Sequence, residues 1–177
     1  MNILIPMAEG FEEIEAITVI DVFRRAGINT ISVGLPGTMV TGAHGIKVFA
    51  DKRLDEVNID DFDALVLVGG DPGYHNLGKS QKIIEAIKRF EAAKKPVGAI
   101  CTAPAILGKL GLLDERRATI YPGMEREIPR PRGNRVIDDD NIITSQGPGT
   151  AMEFAIQIVD KLKGPSIAGK VRRELVA

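Results

Sequence analysis

Val97-Gly98-Ala99-Ile100-Cys101-Thr102-Ala103-Pro104 is the stretch on which the reading of the fold turns. Val97 to Ile100 reads as a buried strand that runs straight into Cys101. Pro104 suits the first turn of a helix, where its missing N–H costs nothing, and the helix is expected over Pro104 to Leu110. A side chain exposed on such a sharp strand-to-helix turn needs small residues two before and two after it, because the backbones approach closely; Ala99 and Ala103 meet that need. The spacing predicts a nucleophile elbow with Cys101 at its tip. A thiol at a helix N-terminus is expected to ionise well below the free value of about 8.5.

Outward from the elbow, the same alternation repeats. Upstream, Ala64-Leu65-Val66-Leu67-Val68 is a continuous apolar run, as in a strand covered on both faces, followed by Gly69-Gly70-Asp71-Pro72-Gly73 and a helix over Ser80 to Lys94. Further upstream, Ile3 to Pro6 reads as a strand, Glu12 to Ala26 as a helix stopped by Gly27, Thr30 to Gly34 as a strand and Lys47 to Ala50 as a short one. Downstream, Val136 to Thr144 reads as a hairpin around Asp138-Asp139-Asp140-Asn141, Thr150 to Leu162 as a final long helix, and Ile128 to Arg135 as a mobile loop. Strands alternating with helices predict an α/β fold, a parallel sheet sandwiched by helices, in one domain over residues 1–177.

Composition narrows the function. Lys+Arg number 23 against 24 Asp+Glu, for a net charge of −1, which is not the basic footprint of a nucleic-acid binder. No apolar run approaches the length of a membrane span, and the N-terminus meets a proline and acids too soon for a secretory signal. One cysteine allows no internal disulfide, so a cytoplasmic setting is expected. One cysteine and two histidines are too few for a structural zinc site, and no metal is expected.

Ligands of open α/β sheets bind beyond the carboxyl ends of the strands. In the first such loop, Met7 to Glu13, the carboxylates of Glu9, Glu12 and Glu13 would repel a phosphate, so neither a flavin nor a dinucleotide is expected and no cofactor site is assigned. Glu12 and Glu13 fit a helix dipole. Glu15 differs, because it heads the apolar stripe of Val19, Val22 and Phe23, where a carboxyl is protonated, is paired, or reaches back to water from the helix end. The Gly69-Gly70 turn serves either as a tight turn or as backbone that presents N–H groups to a developing negative charge. Neither His44 nor His75 follows Cys101 in the chain, so a Cys…His…Glu order and an adjacent Cys-His pair are both excluded.

Glu9-Gly10-Phe11-Glu12-Glu13-Ile14-Glu15, Asp21 to Gly27, Gly69-Gly70, Ala99-Ile100-Cys101 and Thr144 to Thr150 together resemble the ThiJ/PfpI superfamily, in the branch of the parkinsonism-associated protein deglycase and its bacterial relatives. The resemblance implies a flavodoxin-like, class I glutamine amidotransferase-like sandwich and a homodimer. It implies a reactive Cys101, a protonated Glu15 bonded to its sulfur, and an oxyanion pocket from the N–H groups of Gly70 and Thr102. It implies a cofactor-free glyoxalase or deglycase whose partners are small aldehydes or glycated proteins, with a redox-sensing or chaperone role of the same cysteine as the alternative. Two positions depart from the pattern. Tyr121 stands where relatives carry histidine, which argues against peptide hydrolysis because a phenol is a poor base at neutral pH. Gln146 stands where relatives can carry arginine, which weakens recognition of an anionic group. His44, in Gly42-Ala43-His44-Gly45, matches a segment that relatives bring to the dimer interface, so it is an accessory candidate supplied in trans.

Overall fold

The computed structural model describes residues 1–177. Nine strands are present: β1 (Asn2–Ala8), β2 (Asn29–Leu35), β3 (Met39–Thr41), β4 (Lys47–Phe49), β5 (Lys52–Arg53), β6 (Ala64–Leu67), β7 (Val97–Ile100), β8 (Val136–Asp139) and β9 (Ile142–Ser145). Six α-helices accompany them: α1 (Glu13–Arg25), α2 (Gly73–Lys79), α3 (Gln81–Ala92), α4 (Pro104–Lys109), α5 (Ala151–Lys163) and α6 (Pro165–Leu175). Seven strands form one sheet in the order β5-β2-β1-β6-β7-β9-β8, parallel except for the antiparallel edge strand β8. β3 and β4 pair separately as a small hairpin.

The apolar runs are continuous because both faces of the sheet are covered. Ile3, Ile5 and Met7 of β1 and Val66 of β6 point into one core with Val19, Val22 and Phe23 of α1 and Phe154, Ile158 and Val171 of α5 and α6. Leu4 and Ala8, with Leu65 and Leu67, point into the opposite core with Ile83, Ile87 and Phe90 of α3 and Leu107 of α4. Gly98 lets α5 press onto β7: a Cβ there would lie 2.9 Å from both Phe154 and Ile158. From β1 the chain builds first toward β2 and then, after β5, crosses to β6 on the other side. The carboxyl ends of β1 and β6 therefore flank a topological switch point, the place where open α/β sheets bind ligands.

Several elements differ from their sequence expectation. α3 runs where a helix over Ser80 to Lys94 is expected, with Ser80 at its N-cap, whereas α2 follows the expected turn Gly69 to Gly73 in a stretch for which no helix is expected. β3 supplies the partner that the expected strand at Lys47 needed. α5 is not the last helix, because Gly164 (φ 84°) turns the chain and Pro165 opens α6. Ile128 to Arg135 carries no helix or strand but is tied down: Arg132 N–H donates to the Ala118 carbonyl at 2.8 Å. No helix is long and apolar enough to cross a membrane.

Candidate active site

Cys101 sits directly after β7 with φ 64°, a left-handed conformation that a non-glycine side chain adopts only when its surroundings impose it. Three contacts hold this turn. Cys101 N–H donates to the Ser145 carbonyl at 2.9 Å, extending the β7–β9 ladder, and Tyr121 N–H donates to the Cys101 carbonyl at 2.9 Å. Gly69 leaves the room the elbow occupies, since a Cβ there would lie 2.7 Å from Cys101 Cβ and 2.8 Å from Thr102 Oγ1. Gly70 has φ 95°, and a Cβ on it would run into the backbone of Gly10 to Glu12. The elbow, the Gly69-Gly70 turn and the first loop are thus mutually fitted.

Glu15, on the first turn of α1, is fully buried. Its backbone N–H donates to Glu12 Oε2 at 2.7 Å, so Glu12 is the side-chain cap of the helix as well as a charge near its dipole. Glu15 Oε2 accepts the Gly69 N–H at 2.8 Å, while Oε1 has no nitrogen or oxygen partner. The Cys101 thiol lies close enough to the carboxyl to shift its titration. Burial pushes the Glu15 carboxyl up to about 7, with the charge of Glu12 adding to it and the Gly69 N–H and Cys101 opposing it.

Burial also pushes the Cys101 thiol up, and the charge and hydrogen bond of Glu15 push it further; the N–H groups of Thr102 and Gly70 act against both. Burial and Glu15 therefore oppose the lowering that a helix terminus would give this thiol. α4 is only six residues long and starts three residues beyond the sulfur, and the thiol is 5% exposed. The two groups behave as a pair. One proton leaves near neutrality and the second is held far above the ordinary thiol range. The remaining charge is better placed on sulfur, which faces the cleft and two N–H donors, than on a fully buried carboxylate with one. In that state the proton stays on Glu15, whose Oε1 has no hydrogen-bond partner.

The cleft above the sulfur has a volume of about 570 Å³ and brings together Glu12, His44, Gly70, Asp71, Thr102 and Tyr121, with Pro122, Gly123 and Met124 closing one side. The N–H groups of Gly70 and Thr102 donate to no backbone carbonyl, which leaves them for the sulfur or an oxyanion beside it. Tyr121 is 45% exposed at the rim. His44 lies in the cleft of its own chain, so no partner copy is needed to place it there. Glu13 holds it: one carboxylate oxygen accepts the His44 N–H at 2.7 Å and the other meets the His44 ring Nδ1 at 2.8 Å. Burial raises Glu13, but these bonds and that of Ile46 N–H outweigh it and leave the carboxyl below its ordinary value; in return Glu13 raises His44. Glu12, Glu13 and His44 bring donor atoms within 4.8 Å of one another. Both carboxylates already serve backbone N–H groups, so the cluster works as a clamp on the 42–46 loop.

Sequence reasoning placed Cys101, Glu15, Gly70, Thr102, Tyr121 and His44, and the structure gathers all of them at this cleft or directly behind it. It missed Gly69 as the donor to Glu15, Glu13 as the holder of His44, and Asp71 as a wall of the cleft. The signal for Glu13 was its position beside Glu12 at a helix start, which reads equally well as an exposed dipole partner.

Residues 1–161 match the pattern of the DJ-1/PfpI family. The chain is 34% identical over 178 residues to Glutathione-independent glyoxalase DJR-1.2 of Caenorhabditis elegans, covering 98% of this chain and 94% of that protein. It is 33% identical over 167 residues to Deglycase PYRAB04690 of Pyrococcus abyssi (strain GE5 / Orsay), covering 92% and 100%. Protein DJ-1 homolog B of Arabidopsis thaliana is 39% identical over 167 residues, which cover 92% of this chain but 38% of that longer protein. Among solved structures, oxidized DJ-1 of Toxoplasma gondii superposes with a TM-score of 0.96 at 32% identity, covering 99% of this chain and 97% of the other. With its fold, its elbow and this coverage, the chain belongs to the DJ-1/PfpI family.

Proposed function

We propose that this protein is a cofactor-independent, cysteine-dependent glyoxalase that converts small α-oxoaldehydes to hydroxy acids, methylglyoxal to lactate, and removes the same groups from glycated proteins. The observation that carries the reading is the Cys101–Glu15 pair together with the N–H groups of Gly70 and Thr102, which act on the sulfur and donate to no backbone carbonyl. The relatives named as a glyoxalase and a deglycase support it.

The Cys101 thiolate adds to the aldehyde carbon of methylglyoxal, and the resulting oxyanion is held by the Gly70 and Thr102 N–H groups. Glu15 protonates that oxygen to give a hemithioacetal. As a carboxylate, Glu15 then removes the proton from C1; the resulting enediol regains a proton at C2, which leaves a thioester of lactate on sulfur. Water cleaves the thioester and restores the thiol, so the balance is methylglyoxal plus water to lactate. On the hemiaminal of a glycated amine, Glu15 protonates the nitrogen as its bond to C1 breaks, the free amine leaves, and the Cys101 thiolate takes its place at C1 to give the same hemithioacetal. Tyr121 supplies no base for peptide cleavage, so peptidase activity is negligible.

The test is lactate formation from methylglyoxal by the wild type, Cys101→Ser and Glu15→Gln. Turnover by the wild type, none by Cys101→Ser and a loss of at least about 100-fold in Glu15→Gln are expected for nucleophilic and general acid–base roles. Full activity in Cys101→Ser overturns the reading. A second reading is a redox-sensing stress protein or holdase. It rests on the lone cysteine, for which no resolving thiol exists, so oxidation runs to the sulfinic acid beside a protonated Glu15. The related Toxoplasma protein described as oxidized supports it. Absence of lactate with intact thiol reactivity would favour this second role.

A further inference from the structure

The cleft wall carries charge that the reaction does not use. Asp71 follows the Gly69-Gly70 turn, is exposed, lines the cleft that holds Cys101, and forms neither a salt bridge nor a side-chain hydrogen bond. Its charge reaches its neighbours, since it helps raise the Tyr74 phenol. Glu12 lines the same cleft, and neither a lysine nor an arginine does. The one cation available is His44, whose charge is already matched by Glu13 at 2.8 Å. A reagent approaching the sulfur therefore meets an uncompensated carboxylate, and the low-dielectric walls of a cleft magnify such a field.

We infer that Asp71 is a specificity-determining residue that makes the Cys101 cleft a charge filter, admitting neutral oxoaldehydes and cationic adducts, such as those on arginine side chains, and rejecting anionic oxoaldehydes. This substrate class rests on the glyoxalase and deglycase reading, but the filter itself is a property of access to the thiol. Methylglyoxal is neutral, whereas glyoxylate presents the same aldehyde beside a carboxylate. An adduct on arginine keeps the guanidinium charge and is drawn toward Asp71.

The experiment alkylates Cys101, the single cysteine, with iodoacetamide and with iodoacetate, which differ mainly in charge. In each case the thiolate displaces iodide and forms a thioether. The ratio of the two rates, divided by the same ratio for glutathione, measures the filter. At low salt the wild type favours iodoacetamide by roughly tenfold after this correction, Asp71→Asn reduces that preference by roughly fivefold, and Asp71→Lys reverses it. High salt brings the wild type and the two variants together. A corrected ratio near one in the wild type, or a ratio unmoved in both variants, overturns the proposal. Turnover of methylglyoxal against glyoxylate is measured on the same proteins. A charge preference in alkylation without any turnover leaves the filter standing and removes the enzyme reading; turnover without a charge preference does the opposite.

Discussion

A carboxyl buried against a buried thiol holds its proton longer in the folded chain than in the unfolded one, and stability must record the difference. Glu15 goes from an ordinary 4.5 to about 7 on folding. Between these values the native state binds more protons than the unfolded state, so the contribution of Glu15 is fully present below pH 4.5 and is lost as pH rises through 7. At 1.36 kcal/mol per unit, the loss is about 3 kcal/mol. The proton released near 7 belongs to the Glu15–Cys101 pair, so the window is the same whether sulfur or carboxyl keeps the resulting charge, and the pair's second proton acts only above the free thiol value of about 8.5. Glu15→Gln, which imitates the protonated carboxyl, should therefore gain stability over the wild type as pH goes from 4.5 to 7 and keep the gain at pH 8. Urea unfolding at a series of pH values measures it, and a constant difference between the two proteins would show that Glu15 is not raised. The sequence disclosed this residue because a carboxylate at the head of an apolar stripe is conspicuous. It could not disclose that the thiol is driven up, since that depends on burial and on which N–H groups converge on sulfur.

At the scale of elements, the site is a meeting of three turns, and its weakest tolerance is at Gly69. The carbonyl of Gly69 accepts Glu12 N–H at 2.9 Å, its N–H donates to Glu15, and its missing Cβ gives Cys101 and Thr102 their place. Gly69→Ala should displace the elbow, lower stability by about 1–3 kcal/mol as overpacking does, and slow alkylation of Cys101 by more than tenfold at pH 7. Gly133→Ala, where a Cβ meets nothing within 4 Å, is the control. Equal alkylation rates in the two variants would show that the fit at Gly69 does not position the thiol. The strands of this architecture were legible because each apolar run is buried on both faces, and β1, β2, β6 and β7 fall where the pattern places them. α2 was not, because Pro72, Gly73 and Gly78 give it the composition of a turn while Leu77 packs into the core. β3 was not, since Met39-Val40-Thr41 is a three-residue run whose strand character comes only from pairing with β4. The cleft wall at Asp71 and Pro122 to Met124 comes from segments far apart in the chain that only the fold brings together.

For the whole molecule, the decisive observation is where apolar surface is left uncovered. Ile14 and Ile17 on α1 are 57% and 47% exposed, and Met39, Ile46 and Phe49 on the β3–β4 hairpin are 51%, 58% and 74% exposed. Glu13 ties the two elements together through His44 and Ile46, so these side chains belong to neighbouring parts of one surface. Scattered apolar residues need no explanation, but a group on two adjoining elements marks an interaction face. We infer that it pairs with a second copy of this chain about a two-fold axis, so that α1 and the hairpin of each protomer cover those of the other. The face borders the loop that carries His44, so pairing would link assembly to the cleft, confining the 42–46 loop from outside as Glu13 confines it from within. Sedimentation at micromolar concentration should give a dimer for the wild type and a monomer for Ile17→Glu combined with Phe49→Glu, since each buries a charge that has no partner. Both replaced side chains are exposed, so the monomer should keep its fold by circular dichroism while Cys101 alkylation changes through the loosened loop. A wild type that sediments as a monomer would show that the face has another use, and a double variant that remains dimeric would place the two-fold axis elsewhere on the molecule.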